Sequence, residues 1–356
     1  MTPRLEALAA HLPTDTAVLI SAPHHLCYLT GFPSGDSWIF LTAEKAYFLT
    51  DFRYIEYAQQ TVRGAECRMI VRLTDELQAL IDRHGIRTVL VEAAHTSVAE
   101  LKHLRAQLPS VEVSDSGEPD AWLTELRAVK SPDEIEKIRQ AQALAEEGFA
   151  HILPYIRDGV TEREIALELE TYIRRQGAQR VAFDCVVVSG ANGSLPHGIP
   201  SDKPIRCGEF ITMDFGAVVD GYLSDMTRTV ALGTVSEEQR LVYETVLCAQ
   251  RTALAALREG VSCVEGDAAA RRIIEQAGYG EHFGHGTGHG VGVEIHEEPR
   301  LSPRAGSAVL RAGQVVTVEP GIYLPGRFGV RIEDMVVITA DGCHNLTNAP
   351  KELICL

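Results

Sequence analysis

A chain of 356 residues is longer than one typical core sustains, and with 45% apolar and 23% charged residues it reads as a globular protein of two domains. A net charge of −16 argues against nucleic acid as a partner, because phosphate binding needs clustered Lys and Arg. No apolar run reaches the roughly 18–20 residues of a membrane span, and the opening MTPRLEALAAHLPTD lacks the basic-then-apolar form of a signal peptide, so a cytoplasmic protein without membrane association is expected. In chain order, TAVLI (16–20), WIFLT (38–42), AYFLT (46–50) and TVLVEA (88–93) read as strands. DELQALIDRHG (75–85) and SVAELKHLRAQL (97–108) read as helices, the first closed by Gly85. Together they predict one small α/β domain, and the polar segment SDSGEPD (114–120) reads as the linker that follows it. The expected division is 1–120 and 121–356.

The second part opens with a long helix in which Ser131 caps, Pro132 suits the first turn and Glu134 completes a capping box. A second helix has Thr161 as its cap, Glu164 three residues on and Gly177 as its stop. The pattern then repeats. RDGVT (157–161) is echoed by REGVS (258–262), and the spacing from Gly159 to Gly177 equals that from Gly260 to Gly278. Strand-like segments follow in each half, FITMDFGAVVDGYLSDMTRTVAL (210–232) in the first and QVVTVEPGIYLP (314–325) with FGVRIEDMVVIT (328–339) in the second. An internally duplicated, pseudo-twofold domain with a site between its halves is expected.

Asp220-Gly221 is a two-residue hairpin signal, and a turn there makes paired residue numbers sum to 441. Asp214 then faces Thr227, Asp225 faces Gly216, and the two aspartates are diagonal neighbours on one face. Ile211, Met213 and Phe215 point the other way, toward a core. Two carboxylates this close call for a shared proton or a divalent cation. The duplicate half supplies Glu319 after VVTV and Glu333 in VRIEDMVVI, with Arg331 on the face of Glu333. The segment HFGHGTGHGVGVEIHEEPRL (282–301) adds four histidines on a glycine-rich backbone. Four acids with one imidazole suit Mn²⁺, Co²⁺, Fe²⁺ or Zn²⁺. The eight cysteines form no C-x-x-C and read as reduced, non-catalytic thiols.

These motifs, in the order LRAVKSPDEIEKIRQA, SGANGSLPHG, DFGAVVDGYLSDMTRT, GHGTGHGVGVEIHEEP, VVTVEPGIY and GVRIEDMVVIT, resemble the pita-bread metallopeptidases of the aminopeptidase P and prolidase (Xaa-Pro dipeptidase) group. The match covers residues 122–348; YLTGF and LTDFRY more loosely resemble that group's creatinase-like N-terminal domain. The resemblance implies an α/β (α+β) protein: a creatinase-like α/β domain followed by a pseudo-twofold pita-bread domain. It implies two divalent metal ions, Mn before Co, Zn or Fe, held by Asp214, Asp225, His289, Glu319 and Glu333. His197, His285, His296 and Arg331 match positions around the metals and substrate, and Tyr323 matches a tyrosine that some members use. The reaction implied is hydrolysis of an Xaa-Pro bond by a hydroxide bridging the metals. Glu319 would serve as general base and His296 as donor to the developing oxyanion, with His285 near the metals or in a proton relay. His197, His296 and Arg331 would wall the proline pocket. A homodimer is expected, with Asp36 a candidate to reach the neighbouring site. The partner is a proline-containing di- or oligopeptide. A methionine-aminopeptidase-like enzyme is the alternative within the fold, set back by the extra N-terminal domain and LPHG. A non-catalytic peptide-binding module is the alternative outside catalysis, set back by the complete ligand set.

Overall fold

The computed structural model describes residues 1–32 and 35–356. They form two compact units, Met1–Arg127 and Ala128–Leu356. The first contains strands β1 (Thr16–Ile20), β2 (Ser37–Thr42), β3 (Ala46–Thr50), β4 (Glu66–Met69), β5 (Thr88–Val91) and β6 (Glu112–Ser114) in one sheet of order β4-β3-β2-β1-β5-β6. β1 runs antiparallel to β2 and parallel to β5. Its helices are α1 (Pro3–Ala9), α2 (Pro23–Thr30), α3 (Ile55–Thr61), α4 (Leu73–His84), α5 (Val98–Gln107) and α6 (Glu118–Ala128). Phe40, Tyr47, Leu77, Leu80 and Val89 form its core with no exposed surface beyond 1%. The amphipathic repeat of α4 puts Leu77, Leu80 and Ile81 on one buried stripe, and Gly85 ends the helix in the left-handed region at φ +64°.

The unit boundary falls later than the sequence reading places it. Glu118, Pro119 and Asp120 belong to α6 rather than to a linker. Gly117, at φ +79°, breaks the chain just before; Pro119 then falls in the first turn, where its missing N–H costs nothing.

The second unit is built twice. Its first half holds α7 (Pro132–Ile152), α8 (Glu162–Arg175) and β7 (Arg180–Val181), β8 (Val186–Ser189), β9 (Phe210–Phe215), β10 (Ala217–Val219), β11 (Tyr222–Leu223) and β12 (Met226–Ala231). Its second holds α9 (Glu237–Ala256), α10 (Cys263–Gln276) and β13 (Gly288–Gly290), β14 (Glu297–Leu301), β15 (Val315–Val318), β16 (Gly321–Leu324), β17 (Phe328–Arg331), β18 (Asp334–Ile338) and β19 (Cys343–Asn345). α8 and α10 are both 14 residues long, capped by Thr161 and Ser262, whose side chains accept the N–H of Glu164 and Glu265. The sequence echo is also an echo in hydrogen bonding. Gly159 N–H donates to Ile205 O and Gly260 N–H to Leu310 O, both at 2.9 Å. Gly208 and Gly313, at φ +87° and +85°, donate to Leu232 O and Ile338 O.

The hairpin has the expected register: Asp214 pairs with Thr227, Met213 with Arg228, and Val218 with Leu223. Ile211, Met213 and Phe215 are fully buried, worth roughly 1.5–3 kcal/mol each. Length adds a feature the turn signal does not contain. The ladder bends and splits into two sheets, β12-β9-β8 and β11-β10-β7. The bend sits at Gly216, where a Cβ would lie 1.8 Å from the Ser224 carbonyl oxygen, so the glycine makes room for backbone. In the second half β15 is sandwiched between β13 and β18 in the order β14-β13-β15-β18-β19, and β16 pairs with β17.

Candidate metal centre

Four strand ends and one strand bring the acids and the imidazole together. Asp214 is the fifth residue of β9, and Glu319 directly follows β15; both strands descend from the matched glycine turns. Asp225 directly precedes β12 and Glu333 directly precedes β18. The four acids are thus two equivalent pairs from the two halves, and His289 stands in β13 beside them. Asp225, His289 and Glu333 each offer a ligand atom within 4.8 Å of the others. His289 Nε2 lies 3.3 Å from Glu319 Oε1 and 3.6 Å from Asp225 Oδ2.

Hydroxyls and one guanidinium hold these groups. Thr227 Oγ donates to Glu333 Oε2 at 2.7 Å and accepts Arg331 Nε at 2.9 Å. Thr317 Oγ donates to Glu319 Oε1 at 3.2 Å and accepts the His289 N–H at 3.0 Å. Arg331 also reaches Asp214 Oδ2 at 2.7 Å, the Tyr323 hydroxyl at 2.9 Å and the Pro196 carbonyl at 3.2 Å. The family resemblance makes Arg331 a candidate for the wall of a proline pocket. The structure buries it to 3% exposure with its donors committed to protein groups, so it borders the cavity as a holder of Asp214.

Tyr323 accepts from Arg331 and donates to His285 Nε2 at 2.9 Å, while His285 Nδ1 donates to the Gly286 carbonyl at 2.8 Å. Burial pushes the tyrosine up to about 12 and keeps its proton on. Burial likewise lowers His285, so its ring is neutral. His285 therefore faces Tyr323. His296 packs edge-on against His289 at 4.4 Å between ring centroids, and burial with the neighbouring His289 and Arg300 lowers it to about 4. His197 is exposed on the rim, and His282 stays outside the cavity lining. The glycines of this segment make room for protein. A Cβ on Gly288 would lie 2.0 Å from the Thr317 carbonyl oxygen, so the close approach of β13 to β15 requires glycine there.

The four acids, His197, His285, His289, His296 and Arg331 line one cavity of about 640 Å³. Its lining includes Phe183, Ile199 and Ile295, apolar groups the sequence reading does not single out, and Arg300, the cross-strand partner of His289. Strand alternation across β13 and β14 is the signal that points to Arg300. Asp36 lies in the first unit, 3.2 Å from Arg53 and 3.4 Å from the Tyr54 hydroxyl.

The electrostatics fit a cation. Burial, then Glu333 and the other carboxylates, hold Asp225 well above the usual aspartate range; burial and Glu319 do the same to Glu333. Burial raises Asp214 despite Arg331. Burial pushes Glu319 up as well, but the His289 hydrogen bond and the charges of His289, His285 and Arg331 together outweigh it, and Glu319 alone is lowered, to about 2. Asp214 Oδ1 is buried without a hydrogen-bond partner among the described residues. A buried acceptor with no donor and carboxylates that repel one another are what bound divalent metal satisfies, and the mixed oxygen and imidazole donor set suits it.

The duplicated fold and this acid-rich centre define a metal-dependent hydrolase of pita-bread architecture. Residues 136–340 match the model of metallopeptidase family M24, and residues 4–129 match the creatinase/prolidase N-terminal domain. The chain belongs to metallopeptidase family M24 and is a metal-dependent peptidase. It is 35% identical to an Xaa-Pro dipeptidase of Pyrococcus furiosus, over 99% of this chain and 100% of the relative. Among solved structures, an Xaa-Pro dipeptidase from Bacillus anthracis superposes with a TM-score of 0.94 at 38% identity, covering 99% of both chains. An X-Pro aminopeptidase from Thermotoga maritima superposes at 0.91 and 37% identity, covering 98% and 99%.

Proposed function

We propose that the chain hydrolyses the bond between an N-terminal residue and proline, and that free dipeptides are its preferred substrates. The supporting observation is that Asp214, Asp225, His289, Glu319 and Glu333 line the cavity that His296 and Arg300 also line, with Asp225, His289 and Glu333 in ligand-atom reach of one another. Those five residues would hold two divalent ions, with Mn²⁺ the first to test, and bound ions there acidify water and polarise a carbonyl. A homodimer belongs to the same reading, and light scattering checks it.

The protein's own groups do the rest. Glu319, held by Thr317 and beside His289, takes the proton of the attacking water and returns it to the prolyl nitrogen. That nitrogen carries no N–H in the substrate, so recognition rests on ring shape, for which Ile199, Ile295 and Pro196 supply apolar surface. His296 stands free of hydrogen bonds among the described residues and can donate to the carbonyl oxygen as charge develops. His197 lies on the rim to complete the wall. The Tyr323–His285–Arg331 set keeps Asp214 oriented.

A free dipeptide presents a carboxylate on proline, and Arg300 is a cation in the cavity wall that makes no ion pair among the described residues. Arg300→Ala is therefore expected to lower kcat/KM on Ala-Pro by about 10–100-fold, the worth of a charged hydrogen bond, and to leave Ala-Pro-Ala unaffected. Equal cleavage of both peptides by the unsubstituted enzyme, with no effect of Arg300→Ala, points to an aminopeptidase of longer chains. Cleavage of neither peptide with any divalent metal would overturn the reading.

A further inference from the structure

His296 makes no side-chain hydrogen bond among the described residues, so beyond its edge-on contact with His289 its place comes from its backbone. That backbone is clamped by the next residue. Glu297 is buried, and its Oε1 accepts the N–H groups of Val293 at 2.9 Å and Glu294 at 3.1 Å. One carboxylate oxygen thus gathers the loop that leads from His289 to His296. The other oxygen, Oε2, accepts Lys130 Nζ at 2.9 Å. Both side chains of that ion pair are almost fully buried, at 1% and 4% exposure. Gly292 closes the clamp: a Cβ there would lie 2.6 Å from each Glu297 carboxylate oxygen, and its carbonyl accepts the Leu223 N–H at 2.8 Å from the hairpin that carries Asp225. Lys130 is fixed in turn, since its N–H donates to the Gly313 carbonyl at 2.9 Å, in the turn that launches β15 toward Glu319.

We infer that Lys130 and Glu297 are positioning residues for the reaction: the buried ion pair fixes the 291–296 loop and so the placement of His296. A long lysine far along the chain from the histidines would otherwise have no reason to be dehydrated here, because a buried pair of this kind gains little net stability over apolar packing. The arrangement uses both oxygens of the carboxylate, one for the loop and one for the lysine. An amide offers a single oxygen, so Glu297→Gln cannot serve both partners at once.

This inference rests on the reading that His296 acts on the substrate, and the experiment separates the two. Metal-loaded wild type, Lys130→Met, His296→Ala and the double variant are compared for kcat and KM on Ala-Pro, with metal content measured on each sample. Lys130→Met is expected to lower kcat about 10–100-fold, the cost of a misplacement near 1 Å, with KM and metal content unchanged. In the His296→Ala background it should add no further loss, because the group it positions is gone. Lys130→Arg, which keeps the charge, should restore most of kcat. If Lys130→Met does not fold, Glu297→Gln replaces it in the same cycle with the same expectation. Losses that multiply in the double variant, or a wild-type kcat for Lys130→Met, overturn the inference while leaving the role of His296 standing. A wild-type kcat for His296→Ala overturns the role of His296 and the inference with it.

Discussion

Asp225 and Glu333 are buried within ligand-atom reach of His289; burial with Glu333 raises Asp225, and burial with Glu319 and Asp214 raises Glu333, well above the usual carboxylate range. Burying like charges together is costly, so the protein free of metal pays for a site that only a cation completes. Asp225→Asn removes one of the repelling charges and one ligand. The metal-free variant is therefore expected to melt no lower than metal-free wild type. Added Mn²⁺ should raise the Tm of wild type and leave that of the variant almost unmoved, since only binding to the folded state gives a rise. Elemental analysis should show depleted metal in the variant. An equal rise in both proteins would remove Asp225 from the ligand set. At this scale hairpin register and duplication point to the four acids in the sequence, the family resemblance adds His289, and all five line one cavity. The sequence does not reveal Thr227 and Thr317, whose hydroxyls aim Glu333 and Glu319, because a threonine in a strand looks like any other until its tertiary partners are in place. It also leaves Arg331 ambiguous, since only tertiary contacts show its guanidinium spent on Asp214, Tyr323 and Pro196.

β12 and β18 meet where the two halves join, and a buried ion pair holds them. Arg228 Nη2 lies 2.9 Å from Asp334 Oδ1, with side-chain exposures of 1% and 0%. The guanidinium also donates to the carbonyls of Thr227, Ala349 and Pro350, and Asp334 accepts from Gln250, Asn345 and Lys351. Arg228→Met leaves the aspartate buried without its main partner and several carbonyls without donors. It is expected to cost about 3–5 kcal/mol, read as a shift in the denaturant midpoint of the second unit by circular dichroism. A loss below about 1 kcal/mol, the surface-pair range, would contradict the account of the seam. Elements were legible wherever local chemistry fixes them: the capping boxes at Ser131 and Thr161, the glycine stops of α8 and α10, and the hairpin register set by Asp220-Gly221. The split of that hairpin at Gly216 was not, because the bend depends on the Ser224 carbonyl crossing beneath it. Nor was α6, whose polar start resembles a turn in sequence.

Across the whole molecule, duplication places equivalent acids from two halves around one centre, and the first unit brings its own buried charge. Glu92 has no exposed surface and accepts hydrogen bonds from Ala22 N–H at 2.9 Å, from Ser21 N–H and from His25 Nδ1. Burial raises its proton affinity, but the His25 and backbone hydrogen bonds outweigh it and hold the carboxyl below its ordinary value of 4.5. A lowered folded value means that Glu92 contributes its stability fully above that ordinary value and loses it as pH falls through the lowered one. Both tryptophans, Trp38 and Trp122, lie in the first unit, so their fluorescence follows its unfolding. Glu92→Gln should lower the urea midpoint at pH 7, and the deficit should narrow as pH falls below the ordinary glutamate value of 4.5; an equal deficit at neutral and acid pH would contradict the assignment. The measurement that bears most directly on the central claim is proline release from Ala-Pro by chelator-treated protein during titration with Mn²⁺, run beside Asp225→Asn. The account predicts no release without metal, activity that saturates as Mn²⁺ fills the site, and none in the variant. Proline release that survives chelation, or that Asp225→Asn retains, would contradict it.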